Sequence, residues 1–274
     1  MRRLSQVKPI YDYAFNIVTP MKLPSLILFF AVTAFLYASV GFGGGSTYTA
    51  LLVLSKTDYS LIPIIALSCN IAVVSGNTIR YSRNDLVPWS KLWPFLLISV
   101  PMAWIGGRIV VAETLFVGLL AVALFLAGIR LFKQVKTENV ADAAPLPTLT
   151  AMCIGGSIGL YSGIVGIGGG IFLAPILYAL NWGRAKTISA ACSVFILLNS
   201  ASGFLGQFIK LSDANKVMDA LNYWPLLIAV VIGGCIGNYI GVTRLSQSWV
   251  QKLTGILILF VACRLTFELL GRVN

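Results

Sequence analysis

Long stretches of this chain carry no charged residue and are separated by short polar connections. Eight charge-free runs lie at 23–55, 59–79, 92–107, 114–129, 143–183, 187–209, 220–243 and 253–263. A helix that crosses the hydrocarbon core of a bilayer needs about 20 predominantly apolar residues. The first and fifth runs are far longer than one crossing requires. The pattern therefore predicts an all-α polytopic membrane protein of eight segments.

Each of the two longest runs contains a dense cluster of glycines. The first cluster is Gly41-Phe42-Gly43-Gly44-Gly45 and the second is Gly166-Ile167-Gly168-Gly169-Gly170. Packed glycines break a helix because glycine favours no single backbone conformation. A broken helix at membrane depth is tolerated where it is buried in protein or lines a cavity. Two such breaks in matching places predict a transport site at the interface between two repeats.

Other features come into register when the glycine clusters are aligned. The matched pairs are Cys69-Asn70 with Cys192-Ser193, Trp93-Pro94 with Trp224-Pro225, Ile105-Gly106 with Ile236-Gly237, and Arg130-Leu131 with Arg264-Leu265. Together with the glycine clusters themselves, these four pairs make five matches in the same order, which indicates an internal duplication. We therefore expect an N-terminal interfacial segment at 1–22, a first repeat at 23–132, a linker at 133–147 and a second repeat at 148–274.

The charges of matching loops predict the relative orientation of the repeats. Lys56 and Asp58 cancel after the first glycine segment, whereas Arg184 and Lys186 are both positive after the second. The next two pairs of matching loops invert in the same way. Because basic loops stay on the cytoplasmic side, the two four-segment repeats are predicted to be inverted, each starting with a glycine-broken re-entrant or discontinuous helix. The alternative is eight ordinary crossings with parallel halves, which the basic N-terminus favours.

The glycine clusters are also candidate anion sites. A helix that starts after each cluster points free backbone N–H groups and a positive dipole end at the break, and such ends bind anions. Polar residues on the next segment of each half can face the break, and Asn70 and Asn199 are preferred among Ser68, Asn70, Ser75, Asn77, Ser193, Asn199, Ser200, Ser202 and Gln207. The predicted substrate-binding residues are Gly41, Gly43, Gly44, Gly45, Ser46, Thr47, Asn70, Gly166, Gly168, Gly169, Gly170, Ser193 and Asn199. The alternative is that these glycines only allow close helix packing.

Composition narrows the class of protein and its partners. The chain is 58% hydrophobic and 11% charged, with a formal net charge of +11. This charge suits a membrane with anionic lipids and the positive-inside rule better than nucleic-acid binding. The chain has no histidine, and the apolar runs hold no metal-ligand cluster, so no catalytic site, metal or cofactor is predicted. The expected partners are a small anion, the lipid bilayer and a coupling proton or sodium ion.

Together, the two motifs resemble those of the sulfite exporter TauE/SafE family of permeases, also described as 4-toluene sulfonate uptake permeases. The residues that carry the resemblance are 40–45 and 165–175, and the resemblance extends over about 23–270. The second copy, with Pro175, is the closer match, since the first copy lacks this proline. The resemblance implies transport of small sulfur-containing or organic anions such as sulfite, thiosulfate or sulfonates.

These observations predict a secondary transporter of the inner membrane rather than an enzyme. No nucleotide-binding motif or soluble domain supports coupling to ATP. An anion channel using the same helix ends is one alternative. A membrane assembly protein, in which the glycines serve packing only, is the other.

Overall fold

The computed structural model describes residues 23–132 and 146–240, together with positions 259, 262, 263, 265 and 266. The predicted N-terminal segment 1–22, most of the linker 133–147 and the Arg264 member of the last repeat match lie outside the described residues. Within these ranges every regular element is a helix, as the charge-free runs predict.

Ten helices follow one another in the described ranges. They are α1 (Leu23–Val40), α2 (Gly45–Leu54), α3 (Ile62–Arg83), α4 (Trp89–Arg108), α5 (Glu113–Phe132), α6 (Thr148–Val165), α7 (Gly170–Ala179), α8 (Ala185–Asp213), α9 (Val217–Leu221) and α10 (Trp224–Ile240). Four stretches are long and apolar enough to cross a membrane, namely 62–83, 148–165, 186–213 and 217–239. Shorter apolar helices lie at 23–39, 45–54, 113–126 and 170–179.

Both glycine clusters interrupt a helix. α1 ends where Gly41 adopts a positive φ of 84°, and the amide of Phe42 donates to the carbonyl of Tyr37. α6 ends where Gly166 adopts a φ of 80°, and its amide donates to the carbonyl of Ser162. A left-handed residue with such a bond is a common way to end a helix, and glycine adopts it without steric penalty.

The two halves of the chain exchange helices with each other. α4 of the first half packs closely on α6 of the second, and α10 of the second half packs closely on α1 of the first. α3 and α8 also lie against each other near the middle, and each contacts the other half's α10 or α4. The core is therefore built between the halves as much as within them.

Glycines in these interfaces fix the direction of each helix pair. Gly155, Gly159 and Gly163 of α6 lie against the backbones of Phe95, Ser99 and Ala103 of α4, so closely that a Cβ atom would collide. Because both sets advance together along the chain, α4 and α6 run parallel. Small residues allow such close approach of helices in membranes.

The same reasoning applies to the other pairs. Gly233 and Gly237 of α10 meet Ala31 and Phe35 of α1, so α1 and α10 run parallel. Val73 meets Gly234 and Gly76 meets Asn238, so α3 and α10 also run parallel.

α8 runs parallel to α4 and antiparallel to α3. Asn199 bonds to Ser99, and Gly206 meets Trp104, so α4 and α8 advance together. By contrast, Leu67 of α3 meets Gly203 of α8, while Asn70 of α3 and Ser200 of α8 both meet Gly168. Contacts that come later along α3 therefore come earlier along α8, so these two helices run in opposite directions.

A surface ion pair joins connections of the two halves. Lys216 Nζ lies 2.8 Å from Asp58 Oδ2, and about half of each side chain remains exposed. Partial burial works against the charged form of Asp58, but hydrogen bonds from Lys216 and Ser60 outweigh it and lower the pKa of this carboxyl group. The pair therefore ties the α2–α3 connection to the region that follows α8.

Candidate substrate site between the glycine tips

The two breaks meet inside the protein. We call residues 41–44, between α1 and α2, the first tip, and residues 166–169, between α6 and α7, the second tip. Gly45, which starts α2, packs so closely on the carbonyl group of Ile167 that an added Cβ atom would collide with its oxygen. The start of α2, directly after the first tip, is therefore in direct contact with the backbone of the second tip.

Each tip is held by a hydrogen bond from the other half. Asn70 on α3 donates from Nδ2 to the carbonyl oxygen of Ile167 in the second tip, at 2.9 Å. Ser193 on α8 donates from Oγ to the carbonyl oxygen of Gly41 in the first tip, at 2.5 Å. Asn70 and Ser193 are aligned residues, each following a cysteine in its own half. Both side chains are fully buried, so these bonds couple the halves in the interior.

Gly168 of the second tip lies between two polar side chains. A Cβ atom on Gly168 would lie 2.6 Å from Ser200 Oγ and 2.7 Å from Asn70 Nδ2. Gly168 also has a φ of 79°, in the left-handed region. Only glycine allows the backbone to approach both side chains in this conformation.

Several buried polar atoms near the tips have no hydrogen-bond partner. They include Asn70 Oδ1, Asn77 Nδ2 and Ser200 Oγ. A buried polar group without a partner is unfavourable by about 1–3 kcal/mol, so native proteins satisfy nearly all of them with protein, water or ligand. Asn77 Nδ2 and Ser200 Oγ can donate to an anion, whereas Asn70 Oδ1 is an acceptor and would need a donor instead.

Two helix N-termini converge on the same region. α2 and α7 start directly after the tips, and neither has a side-chain cap. Their first N–H groups and positive dipole ends therefore point at the tips. The described side chains packed around the tip glycines are uncharged. The arrangement therefore offers backbone and neutral side-chain donors, the kind of group that can bind an anion.

The predicted site residues fall into three groups. Gly43, Gly45, Gly168 and Asn70 lie together where the tips meet, and Ser193 holds the first tip from the other half. The remaining glycines flank this centre: Gly41 beside Tyr81, Gly44 beside Tyr48, Gly166 beside Pro63, Gly169 beside Phe195 and Gly170 beside Ile196. Ser46 and Thr47, in the first turn of α2, also belong to this second, flanking group. Both are buried, and the Thr47 hydroxyl pairs with Tyr37 OH at 3.1 Å.

The third group is Asn199 alone, which lies against α4. Its Nδ2 donates to Ser99 Oγ at 3.1 Å and to the carbonyl oxygen of Phe195 at 2.8 Å. The next residue, Ser200, contacts the second tip instead. Asn199 and Ser200 are neighbours in sequence, but they point in directions about 100° apart around α8. The signal that identifies Ser200 is its spacing of seven residues from Ser193, which repeats the spacing of Asn77 from Asn70.

A separate small cavity lies away from the tips. Its volume is about 100 Å³, and no tip residue lines it. It is bounded by the first turns of α4 and α6 and by Trp182. It therefore has no part in the candidate site.

Comparisons with known proteins agree with a membrane transporter. The family profile described as Sulfite exporter TauE/SafE matches residues 26–265. A probable membrane transporter protein of Sinorhizobium fredii is 32% identical over 88% of this chain and 96% of its own length. Probable membrane transporter proteins of Xylella fastidiosa and Methanocaldococcus jannaschii are 27% and 26% identical, over 80% and 77% of this chain and 86% and 80% of their own lengths. No solved structure matches the chain.

Proposed function

The chain belongs to the sulfite exporter TauE/SafE family, and on this premise we propose that it is a secondary transporter of a small sulfur-containing or organic anion. Membership of this family and relatives named as probable membrane transporters indicate a multi-pass membrane transporter rather than an enzyme. The inner membrane is consistent with both.

One observation carries the proposal: the start of α2 touches the second glycine tip, so two uncapped helix N-termini lie at one buried, uncharged, polar region. Helix N-termini provide N–H donors and a partial positive charge without a basic side chain. A site of this kind suits a small anion such as sulfite, thiosulfate or a sulfonate. Discontinuous helices at a repeat interface serve the same role in other transporter folds.

The cross-bonds suggest how access alternates. Each tip is held by a residue of the opposite repeat, through Asn70 to Ile167 and through Ser193 to Gly41. Movement of one repeat against the other changes both contacts at once. We propose that this movement opens the tips to one side of the membrane and then to the other, with a proton or sodium ion as the coupling ion.

We further propose that residues 23–132 and 148–274 form inverted repeats joined by the linker 133–147. Packing directions support this: α1 and α3 run parallel to α10, while α6 and α8 run parallel to α4, and α3 and α8 are antiparallel. In that arrangement α1 and α2 enter and leave at one face as a re-entrant hairpin, and α6 and α7 do so at the opposite face.

Charges support the same arrangement and suggest its orientation. At the face where α3 ends, the described connections and helix ends carry Arg80, Arg83, Lys91, Arg130, Arg184 and Lys186 against Asp85. At the other face, Lys56, Arg108, Lys210 and Lys216 are balanced by Asp58, Glu113, Asp213 and Asp219. The positive-inside rule then assigns the face at which α3 ends to the cytoplasm.

Binding and transport of anions test the function. The purified protein is heated with sulfite, thiosulfate, sulfate, small sulfonates, carboxylates and chloride, since a ligand that binds the folded state raises the melting temperature by mass action. A selective rise with a sulfur anion, followed by counterflow of that anion in proteoliposomes, supports a carrier. Saturating binding without counterflow indicates a channel.

In the same proteoliposomes, an impermeant thiol reagent tests the inversion. Single cysteines replace Lys56 and Arg184 in a background without the five native cysteines. Labelling of the two from opposite sides supports inverted repeats, and labelling from one side excludes them.

The competing function is a membrane assembly protein in which the tip glycines serve packing only. The tight contact of Gly45 with Ile167 favours it, because close helix packing alone explains glycine there. This function predicts no selective stabilisation by any anion at millimolar concentration.

A further inference from the structure

Four buried polar side chains form a repeated pattern along the two central helices. On α3, Asn70 and Asn77 are seven residues apart; on α8, Ser193 and Ser200 are seven residues apart. Seven residues make two helical turns, so each pair shares one helix face. The alignment that matches Asn70 with Ser193 also matches Asn77 with Ser200. The pattern therefore consists of two equivalent pairs, one from each repeat.

Within each pair a donor of the first residue makes a hydrogen bond, and a donor of the second does not. Asn70 and Ser193 donate to Ile167 and Gly41 of the opposite tip. Asn77 Nδ2 and Ser200 Oγ have no hydrogen-bond partner, although the two residues are only 3% and 0% exposed. The same position in both repeats is thus a buried donor that lacks an acceptor.

Both donors face the glycine tips. Ser200 Oγ lies beside Gly168, directly before the N-terminus of the ten-residue helix α7. Asn77 lies on the α3 face between Val74 and Tyr81, which contact Gly43 and Gly41 of the first tip. α3 and α8 are antiparallel, with Asn70 opposite Ser200. Asn77 therefore lies about 10 Å further along the helix axis, at 1.5 Å per residue.

We propose that Ser200 and Asn77 bind the transported anion directly, at two successive positions, and that Asn70 and Ser193 are positioning residues that hold the tips. This inference rests on the function proposed above and names the side chains of that site. An oxyanion supplies the acceptor that each donor lacks, and hydrogen bonds to a charged acceptor are the stronger kind. A small anion contacts one donor at a time because the two lie on different levels. Ser200 with the second tip forms one half-site, and Asn77 with the first tip forms the other.

The central test compares three alanine variants of the full-length protein. Ser200→Ala and Asn77→Ala remove unpartnered donors. Ser202→Ala is the matched control on the same helix, because Ser202 Oγ donates to the carbonyl oxygen of Val100 at 2.6 Å on α4. For each variant, the melting temperature without ligand and the Kd for the anion that stabilises the wild type are measured.

The expected results have opposite signs. Ser200→Ala leaves the ligand-free melting temperature unchanged or raised, because an unsatisfied buried group is removed, and weakens binding by about tenfold or more. Asn77→Ala weakens binding in the same range. Ser202→Ala lowers the ligand-free melting temperature and leaves Kd unchanged, because its bond is structural.

The inference and the proposed function fail in different ways. If the wild type binds and transports an anion but Ser200→Ala and Asn77→Ala bind it equally well, buried water satisfies these donors and the inference is wrong. If both variants fail to fold, the two groups are structural and the inference is again wrong. If the wild type itself binds no anion of the panel, the proposed function falls first.

Discussion

The two glycine tips share the motif G-x-G-G-G but are built differently. In the first tip only Gly41 has a positive φ, and Gly44 has a φ of −89°. In the second tip, Gly166, Gly168 and Gly169 all have positive φ values of about 80°. The second tip therefore depends on glycine for its backbone conformation at three positions, and the first at one.

The helices that follow the tips differ as well. All ten residues of α2 are buried, and Tyr48 stacks on Phe30 of α1 with ring centroids 4.8 Å apart. Only four of the ten residues of α7 are buried. The first tip is thus fixed by side-chain packing around its helix, whereas the second is fixed by its own backbone. One motif can accordingly support two different constructions, and the difference predicts where substitutions are tolerated.

Alanine substitutions in the tips should show the largest contrast. Gly168→Ala places a side chain on a left-handed residue, which is unfavourable by about 1–2 kcal/mol, and forces it against Ser200 and Asn70, with overpacking of roughly 1–3 kcal/mol. Gly43 has no positive φ, so Gly43→Ala adds no backbone strain of this kind. Its new Cβ atom would lie 2.6 Å from Asn70 Oδ1. We expect Gly168→Ala to lower the melting temperature clearly more than Gly43→Ala. Equal losses would mean that the two tips are equivalent after all.

Loss of the cross-bonds should have an intermediate effect. Asn70→Ala leaves the carbonyl of Ile167 without its donor and removes a larger buried side chain, so we expect a loss of about 1–3 kcal/mol. Ser193→Ala removes one hydroxyl bond to Gly41, with an expected loss of about 1 kcal/mol. Denaturation of both variants in one detergent measures the difference. A larger loss of stability for Ser193→Ala would indicate that the first tip depends more on its single hydrogen bond than the second tip depends on Asn70.

The surface ion pair between the two halves of the chain should contribute least to stability. Asp58→Asn removes the ion pair with Lys216, and exposed pairs contribute about 0–1 kcal/mol. Because the folded protein lowers the pKa of Asp58, the pair stabilises the fold above the carboxyl's ordinary pKa, and this contribution disappears as the pH falls through the lowered value. Melting of wild type and variant should therefore differ slightly at neutral pH and converge in acid. A loss larger than that of Asn70→Ala would place the main tie at the surface.

Sequence reasoning reached the helical class, the paired glycine breaks and the aligned residues that contact them. The apolar runs predict the helices because backbone groups in hydrocarbon must be satisfied within one segment. The match of Cys69-Asn70 with Cys192-Ser193 depends only on composition and order, and both polar members lie at the tips.

The sequence alone does not predict that each tip is bonded by a residue of the other half of the chain. Nothing local to Asn70 specifies that its donor reaches Ile167, 97 residues away. Likewise, the choice between Asn199 and Ser200 depends on a rotation of about 100° around one helix. Packing of helices between the two halves of the chain determines both the contact of Asn70 with Ile167 and the orientation of Asn199 and Ser200. The different φ values of the two tips follow from the same packing, because identical glycines permit either conformation.

The partner exchange of α1 with α10 and of α4 with α6 has a consequence for biosynthesis. When the first half of the chain leaves the ribosome, the glycine-lined surfaces that will cover α1 and α4 have not yet been made. α4 cannot be covered before α6 has been translated. α1 cannot be covered before α10, the last of the ten helices, has been translated. The first half of the nascent chain is therefore an incomplete folding intermediate, and the helices of the second half complete its packing.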